Sequence, residues 1–301
     1  MSNISELYTI RDFIRWAVSR FNEANLYYGH GTDSAWDDAV ALILHTLHLP
    51  HDINPMVLDA RLTQDERQAL AKVLDRRIHE RMPVPYLTHQ AWFAGLSFYV
   101  DERVLIPRSP MAELIENHFQ PWAEHPIERI LDLCTGSGCI AIACAKAFPD
   151  ALVDAADIST EALHVAEQNV REHACEDQVH LYQADIFDGL PAHQYDLIIS
   201  NPPYVDAEDM ATLPPEYHHE PSLALAAGQD GLDIVTRLLR DAIHHLNPHG
   251  LLIVEVGNSE VALADRFPHL PFMWLEFQRG GGGVFLLTYE QLHAIKNQIS
   301  A

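Results

Sequence analysis

The sequence predicts an α/β protein: a mostly parallel seven-stranded sheet with helices on both faces, preceded by an N-terminal helical domain. Two patterns carry this. From Ile127 onward, seven short apolar runs recur with helical stretches between the earlier ones, and strands alternating with helices imply a parallel sheet covered on both sides. Before residue 85, apolar residues instead recur at steps of three and four, as in helices with one buried face, and no strand pattern appears.

In residues 1–84, Leu7, Ile10, Phe13, Ile14, Val18 and Phe21 mark the first helix face. Asp33 or Ser34 caps a second helix through Ala39, Leu42 and Ile43. Thr63 with Glu66 fits a capping box opening a third, through Leu70, Val73, Leu74 and Ile78, and Pro83 and Pro85 end it. Residues 85–121 read as a hairpin and linker: His89 to Phe93, a turn at Gly95, Leu96 to Val100, then a helix from Met111 to Phe119. Residues 122–301 form the sheet domain. Its strands are expected at Ile130–Leu133, Leu152–Ala155, Val179–Tyr182, Leu197–Ser200, Leu251–Val256, Phe272–Phe277 and Val284–Leu287. Its helices are expected at Ile140–Phe148, Glu161–Glu172, Gly231–His245 and Ser259–Phe267. The last two runs are joined without a helix and read as an antiparallel hairpin at the sheet's edge.

A chain of 301 residues, 48% hydrophobic and 21% charged, suffices for two modest soluble domains. No stretch approaches the roughly 18–20 apolar residues of a membrane helix, and Met1–Ile10 has no basic segment followed by an apolar run, so the expected compartment is the cytoplasm. Net charge is −24, with 19 Lys and Arg against 43 Asp and Glu. That works against a tight nucleic-acid binder, which needs a basic footprint, and suits either a basic protein partner or simple solubility. Cys134, Cys139 and Cys144 stand five apart in one apolar segment, too divergent on a helix to meet at one metal; with Cys175 they read as reduced, packed side chains. The 19 histidines are scattered without ligand spacing, and no metal site is expected.

The first chemical motif is Asp132-Leu133-Cys134-Thr135-Gly136-Ser137-Gly138, where a strand ends in a glycine-containing turn that opens a helix. In an open parallel sheet, ligands sit beyond the carboxyl ends of the strands, and glycine lets backbone approach them closely. No Lys-Ser or Lys-Thr follows, so this is no P-loop, and Asp132 at its entrance disfavours a pyrophosphate and favours a ligand with a cationic part. A tight turn with no ligand is the plain alternative. Asp157 ends the next strand, where a carboxylate accepts from both hydroxyls of a ribose or else caps the following helix, a role open to Ser159 as well. After the third strand, Asp185-Ile186-Phe187 offers an acceptor for the amine of adenine and apolar cover for its ring, or is an ordinary turn.

The fourth element, Asn201-Pro202-Pro203-Tyr204, directly follows the run Leu197–Ser200. An amide or aromatic amine is a poor nucleophile because its lone pair is delocalised. To attack carbon it must be held with that pair aimed and its developing positive charge stabilised. Acceptors on its two N–H hydrogens do both: the side-chain oxygen of Asn201 and the backbone carbonyl of Pro202. The prolines set the loop in advance, and Tyr204 offers a ring to stack on a planar group.

Together, Asp132, Gly136-Ser137-Gly138, Asp157, Asp185 and Asn201-Pro202-Pro203-Tyr204 resemble the class I S-adenosylmethionine methyltransferases with an NPPY motif. Pro85-Tyr86-Leu87-Thr88, Phe98-Tyr99-Val100, Leu105-Ile106-Pro107-Arg108, Glu220-Pro221, Leu223-Ala224-Leu225, Asp230-Gly231-Leu232 and Glu255-Val256-Gly257 narrow the resemblance to the protein-glutamine methyltransferases, over nearly the whole chain. It implies the class I methyltransferase fold, S-adenosylmethionine as cofactor, methylation of a glutamine side-chain nitrogen, and N-terminal helices that help recognise a protein. It implies that Asp132, Cys134, Thr135, Gly136, Ser137, Gly138, Asp157, Asp185, Ile186 and Asn201 bind the cofactor, Asp157 at the ribose and Asp185 with Ile186 at the adenine. Asn201 and Pro202 then hold the glutamine amide, with Pro203 and Tyr204 beside it. Cys134 stands where many relatives have glycine.

Where the release-factor branch of that family reads Arg-Pro-Asp-Thr-Glu, this chain has Arg108-Ser109-Pro110-Met111-Ala112-Glu113. That departure, with Tyr27-Tyr28-Gly29-His30-Gly31-Thr32-Asp33, resembles the branch acting on ribosomal large-subunit protein L-three, a basic substrate suited to an acidic chain. The alternatives are a peptide-chain release factor as substrate, or a nucleic-acid amino-methyltransferase acting on a flipped base. The acidic charge and the lack of an inserted recognition domain disfavour the latter. A non-catalytic module would not need the tetrapeptide, and an NAD-dependent oxidoreductase would not explain it.

Overall fold

The computed structural model describes residues 4–299, which divide into two compact units. The N-terminal unit runs through Ala91 and takes in Val100–Glu102 and Pro214–His219. It therefore extends past the expected boundary at 84 and includes a segment expected in the sheet domain. Its helices are α1 (Ile10–Glu23), α2 (Ala35–Thr46), α3 (Gln64–Asp75) and the short α4 (Val84–Thr88).

Side-chain oxygens start the first three. Thr9 and Asp12 form a reciprocal capping box at α1, Thr63 and Glu66 form the expected one at α3, and Ser34, not Asp33, caps α2 by accepting from the N–H of Asp37 at 3.2 Å. The apolar faces meet in one cluster around Phe13, Phe21, Leu42, Ile43, Leu70 and Leu74, all 0% exposed. The periodicity past α3 continues as a π-helical turn, Arg76–Glu80, which carries Arg77 inward. Arg77 is 2% exposed, pairs with Asp38 at 2.7 Å and donates to the carbonyl of Tyr27 at 2.9 Å. Glu216, from the recruited segment, accepts from the N–H of Tyr27 at 2.9 Å and from Arg81 at 2.8 Å.

The second unit opens with a hairpin of β1 (Ala91–Phe93) and β2 (Leu96–Phe98), turned at Gly95 with φ +73°, followed by α5 (Met111–Glu116). Its sheet contains β3 (Arg129–Leu133), β4 (Leu152–Asp157), β5 (Val179–Gln183), β6 (Tyr195–Ser200), β7 (Leu246–Glu255), β8 (Met273–Trp274) and β9 (Val284–Thr288), in the order β5-β4-β3-β6-β7-β9-β8. The first five are parallel neighbours; β9 is antiparallel to both β7 and β8. Helices α6 (Cys139–Ala147), α7 (Thr160–Glu172), α8 (Ala207–Thr212), α9 (Asp233–Asp241), α10 (Glu260–Arg266) and α11 (Tyr289–Ile299) complete it. Alternate residues of one strand, such as Ile130 and Leu131 of β3, enter separate clusters on the two faces.

This is the expected seven-stranded fold with its antiparallel edge. It departs locally. The run Phe272–Phe277 yields only a two-residue strand after Pro271, because an edge position offers one hydrogen-bonding neighbour. β7 starts at Leu246, before the apolar run at Leu251: Leu246 pairs with Tyr195, and after a register shift the pairing resumes at Leu197 with Leu251. Helix α11 was not expected from the pattern. Chain order reverses at β3, flanked by β4 on one side and β6 on the other, so a crevice lies beyond their carboxyl ends. Among the described residues, no helix is long and apolar enough to cross a membrane.

Replacing Arg77 with Ala strands the carboxylate of Asp38 in the interior. It should destabilise the N-terminal unit by about 3 kcal/mol, read as a shift in its denaturant midpoint.

Candidate active site

Beyond the carboxyl ends of β3, β4 and β6 lies a cavity that opens to solvent, of about 1030 Å³ with the open space at its mouth included. Of the residues singled out by sequence, Cys134, Gly136, Asp157, Asp185, Ile186, Asn201 and Pro203 line it.

The loop after β3 is held by carboxylates on either side. Asp157 accepts from the N–H of Gly136 and from that of Ser159, both at 2.9 Å. Ser159 is the cap of α7, so Asp157 remains at the cavity wall. Burial raises its carboxyl above the usual range against three backbone hydrogen bonds. A Cβ at Gly136 would project into open space, whereas one at Gly138 would come within 3.3 Å of Ala166. The first glycine leaves room for a ligand and the second lets α6 and α7 pack. Asn169, fully buried in α7, donates to the carbonyls of Ser137 and Tyr99 at 2.8 and 3.0 Å and accepts from the Tyr99 N–H at 2.8 Å.

Asp132 lies behind the cavity wall. It has no exposed surface, does not line the cavity, and accepts from the Thr135 hydroxyl and the Ala141 N–H. Burial pushes its carboxyl up to about 7. It braces the loop from beneath through one oxygen, while the other is buried with no hydrogen-bond partner. Thr135, Ser137 and Gly138 also sit behind the lining and shape the loop.

Two non-glycine residues on the wall lie in left-handed backbone, Cys134 at φ +59° and Ile186 at φ +59°. That conformation costs a β-branched residue most, and such strain concentrates at functional sites. It also explains why glycine suits position 134.

Across the cavity, the loop after β6 begins at Asn201. Its side-chain oxygen is buried on the wall and has no hydrogen-bond partner. A buried acceptor left unpaired is costly unless a ligand satisfies it. Pro202 is buried, and neither it nor Tyr204 lines the cavity. The Tyr204 hydroxyl turns inward, donating to Glu255 at 3.1 Å.

Among the wall residues to which sequence reading gave no role in the site, four have large side chains that bear on a ligand. Arg237 of α9 pairs with Asp185 at 2.9 Å. Arg103 follows the hairpin, and Ile158 and Leu223 are large apolar side chains left 49% and 57% exposed on the wall. Ile158 was legible in principle as the apolar residue after a strand-ending carboxylate. The pairing of Arg237 with a residue fifty-two positions earlier has no local signal.

Residues 112–213 match the methyltransferase small domain. Over 98% of its length the chain is 48% identical to the ribosomal protein uL3 glutamine methyltransferase of Francisella tularensis subsp. tularensis, covering 94% of that protein. Over 95% of its length it is 53% identical to the one from Neisseria gonorrhoeae, covering 96% of it.

Cys134 lines the cavity, yet burial and the nearby charges of Asp157 and Asp132 push its thiol far above the usual range. Native protein at pH 8 should therefore be alkylated at Cys134 by iodoacetamide much more slowly than denatured protein, as peptide mass spectrometry would read.

Proposed function

The chain belongs to the ribosomal protein uL3 glutamine methyltransferases, and from that premise we propose that its cavity binds S-adenosylmethionine and that Asn201 presents a glutamine amide of uL3 to it. The reaction is methylation of a glutamine in ribosomal protein uL3. The observation that carries the assignment of the site is the buried, unpartnered side-chain oxygen of Asn201 on the cavity wall.

The residues present fit the cofactor. Asp157 stands at the end of β4 where ribose hydroxyls are accepted, Asp185 and Ile186 offer an acceptor and apolar cover for adenine, and Gly136 leaves open space for the ligand. When bound, S-adenosylmethionine supplies an electrophilic methyl group on a sulfonium. Asn201 accepts one N–H of the substrate amide and the carbonyl of Pro202 accepts the other. The nitrogen lone pair is thereby aimed, and the charge growing on nitrogen meets fixed dipoles. After transfer, the nitrogen releases its surplus proton to water, so no dedicated base is required. Pro203 and Tyr204 flank the amide. The N-terminal helices take part in recognising uL3, and the net charge of −24 draws in a basic substrate. A ribosomal substrate puts the reaction where ribosomes are assembled, in the cytoplasm.

The test supplies methyl-labelled S-adenosylmethionine with uL3, and separately with a peptide-chain release factor and with nucleic acid. Label should appear on one glutamine of uL3 alone; label on the release factor or on a base would overturn the substrate assignment. Asn201→Ala should lower kcat by about 10²–10³ while the protein still binds cofactor. Asp157→Ala should weaken cofactor binding in calorimetry. Because burial raises Asp157, wild-type affinity should begin to fall on acidification at a higher pH than an ordinary carboxylate would cause.

A further inference from the structure

Tyr204 is constrained at three points. Its hydroxyl donates to Glu255 Oε1 at 3.1 Å, and its carbonyl accepts from the Ser259 hydroxyl at 2.9 Å. Its ring lies so close to Gly257 that a Cβ there would stand 2.6 Å from the ring edge; one at Gly231 would stand 2.3 Å from the Tyr204 carbonyl oxygen. Two glycines and a serine thus shape the seat, and a carboxylate sets the direction of the hydroxyl.

Glu255 is the last residue of β7 and is 6% exposed. Its second oxygen accepts from Ser109 Oγ at 2.5 Å, and Ser109 Oγ itself accepts from the N–H of Met111 at 3.2 Å. Burial raises the Glu255 carboxyl, while the hydrogen bonds from Ser109 and Tyr204 and the charge of Arg108 oppose that. An apolar side chain of similar volume would fill the same space without the desolvation cost of a carboxylate. What it could not do is accept from two hydroxyls at once and so hold Tyr204 in one orientation. Ser109 is also the first position at which this chain departs from the release-factor pattern, so that departure reaches the site through Glu255.

We propose that Glu255 is a positioning residue for methyl transfer: anchored by Ser109, it fixes Tyr204 and with it the loop that presents the Asn201 oxygen to the cavity. This rests on the function proposed above. A Tyr204 free to swing would loosen the loop behind Asn201 and let the held amide drift from the line of attack, so the loss falls on turnover and not on cofactor binding.

The experiment is a double-mutant cycle on the full-length protein, with uL3 and labelled S-adenosylmethionine as substrates. Glu255→Gln, nearly isosteric, should lower kcat about tenfold and leave KM for S-adenosylmethionine within about twofold, as expected for loss of a hydrogen bond to a charged group. On a Tyr204→Phe background, the same change should cost less than about twofold further, because the hydroxyl it acts through is gone. Ser109→Ala, which leaves Glu255 in place, should repeat both results at smaller amplitude. Full additivity, with Glu255→Gln costing the same roughly tenfold on the Tyr204→Phe background, would overturn the proposal, since Glu255 would then act by another route. So would a rise in KM for S-adenosylmethionine with kcat unchanged. Absence of uL3 methylation by the wild-type protein would instead bring down the function itself, and is told apart by occurring before any substitution.

Discussion

Glu220 has a side chain with no exposed surface and three hydrogen bonds drawn from one short segment. It accepts from the backbone N–H of Ile106 at 3.0 Å and, through both oxygens, from the Arg108 guanidinium at 2.6 and 2.9 Å. A bidentate pair of this kind fixes direction as well as distance. It sets the stretch leading to Ser109, and hence the partner of Glu255. It also anchors the start of Pro221–Ala227, which then runs beside the active-site loop: Val205 donates to Leu225 at 2.8 Å and Ala227 donates to Val205 at 2.9 Å. The exposed apolar side chain of Leu223 on the cavity wall is carried between those anchors. One ion pair on a buried carboxylate therefore registers two loops that approach the cavity from distant parts of the chain.

The division between what sequence reveals and what it hides follows the range of the interactions. The helix faces of the N-terminal unit, the capping box at Thr63 and the alternation of strands with helices are local patterns, and each appears in the structure at nearly the expected residues. The carboxylate after β4, the glycine loop and the asparagine after β6 were legible because a parallel sheet delivers its strand ends to one edge, so successive motifs converge without knowledge of any contact. What stayed hidden is non-local pairing: Arg237 with Asp185, Ser109 with Glu255, Arg108 with Glu220. Asp132 shows the complementary limit, for a charged residue at a loop entrance looks the same in sequence whether it faces the ligand or braces the turn from beneath.

The wall combines left-handed backbone at Cys134 and Ile186 with an unpaired acceptor at Asn201. Each is unfavourable in isolation, and each belongs to a loop clamped elsewhere: by Asp157 and Asn169 in the first case, by the reciprocal backbone hydrogen bonds of Asp185 and Asp188 in the second, and by Ser200 donating to the carbonyl of Leu133 at 2.8 Å in the third. The sheet and its clamps hold these residues in conformations they would not choose, so the geometry of the site is present before any ligand arrives.

The excursion of Pro214–His219 into the N-terminal unit bears on how the protein comes into being. Glu216, buried among Tyr27, Arg77 and Arg81, is made well over a hundred residues after the helices it completes. During translation those helices emerge first, yet their basic cluster must wait for β3 to β6 to leave the ribosome before its carboxylate arrives. The early helices are thus held one ion short of completion until the loop that carries Asn201 has also been synthesised. The division of the chain into two units is spatial and not temporal: the chain returns twice to the N-terminal unit, at Val100–Glu102 and at Pro214–His219, before that unit is complete.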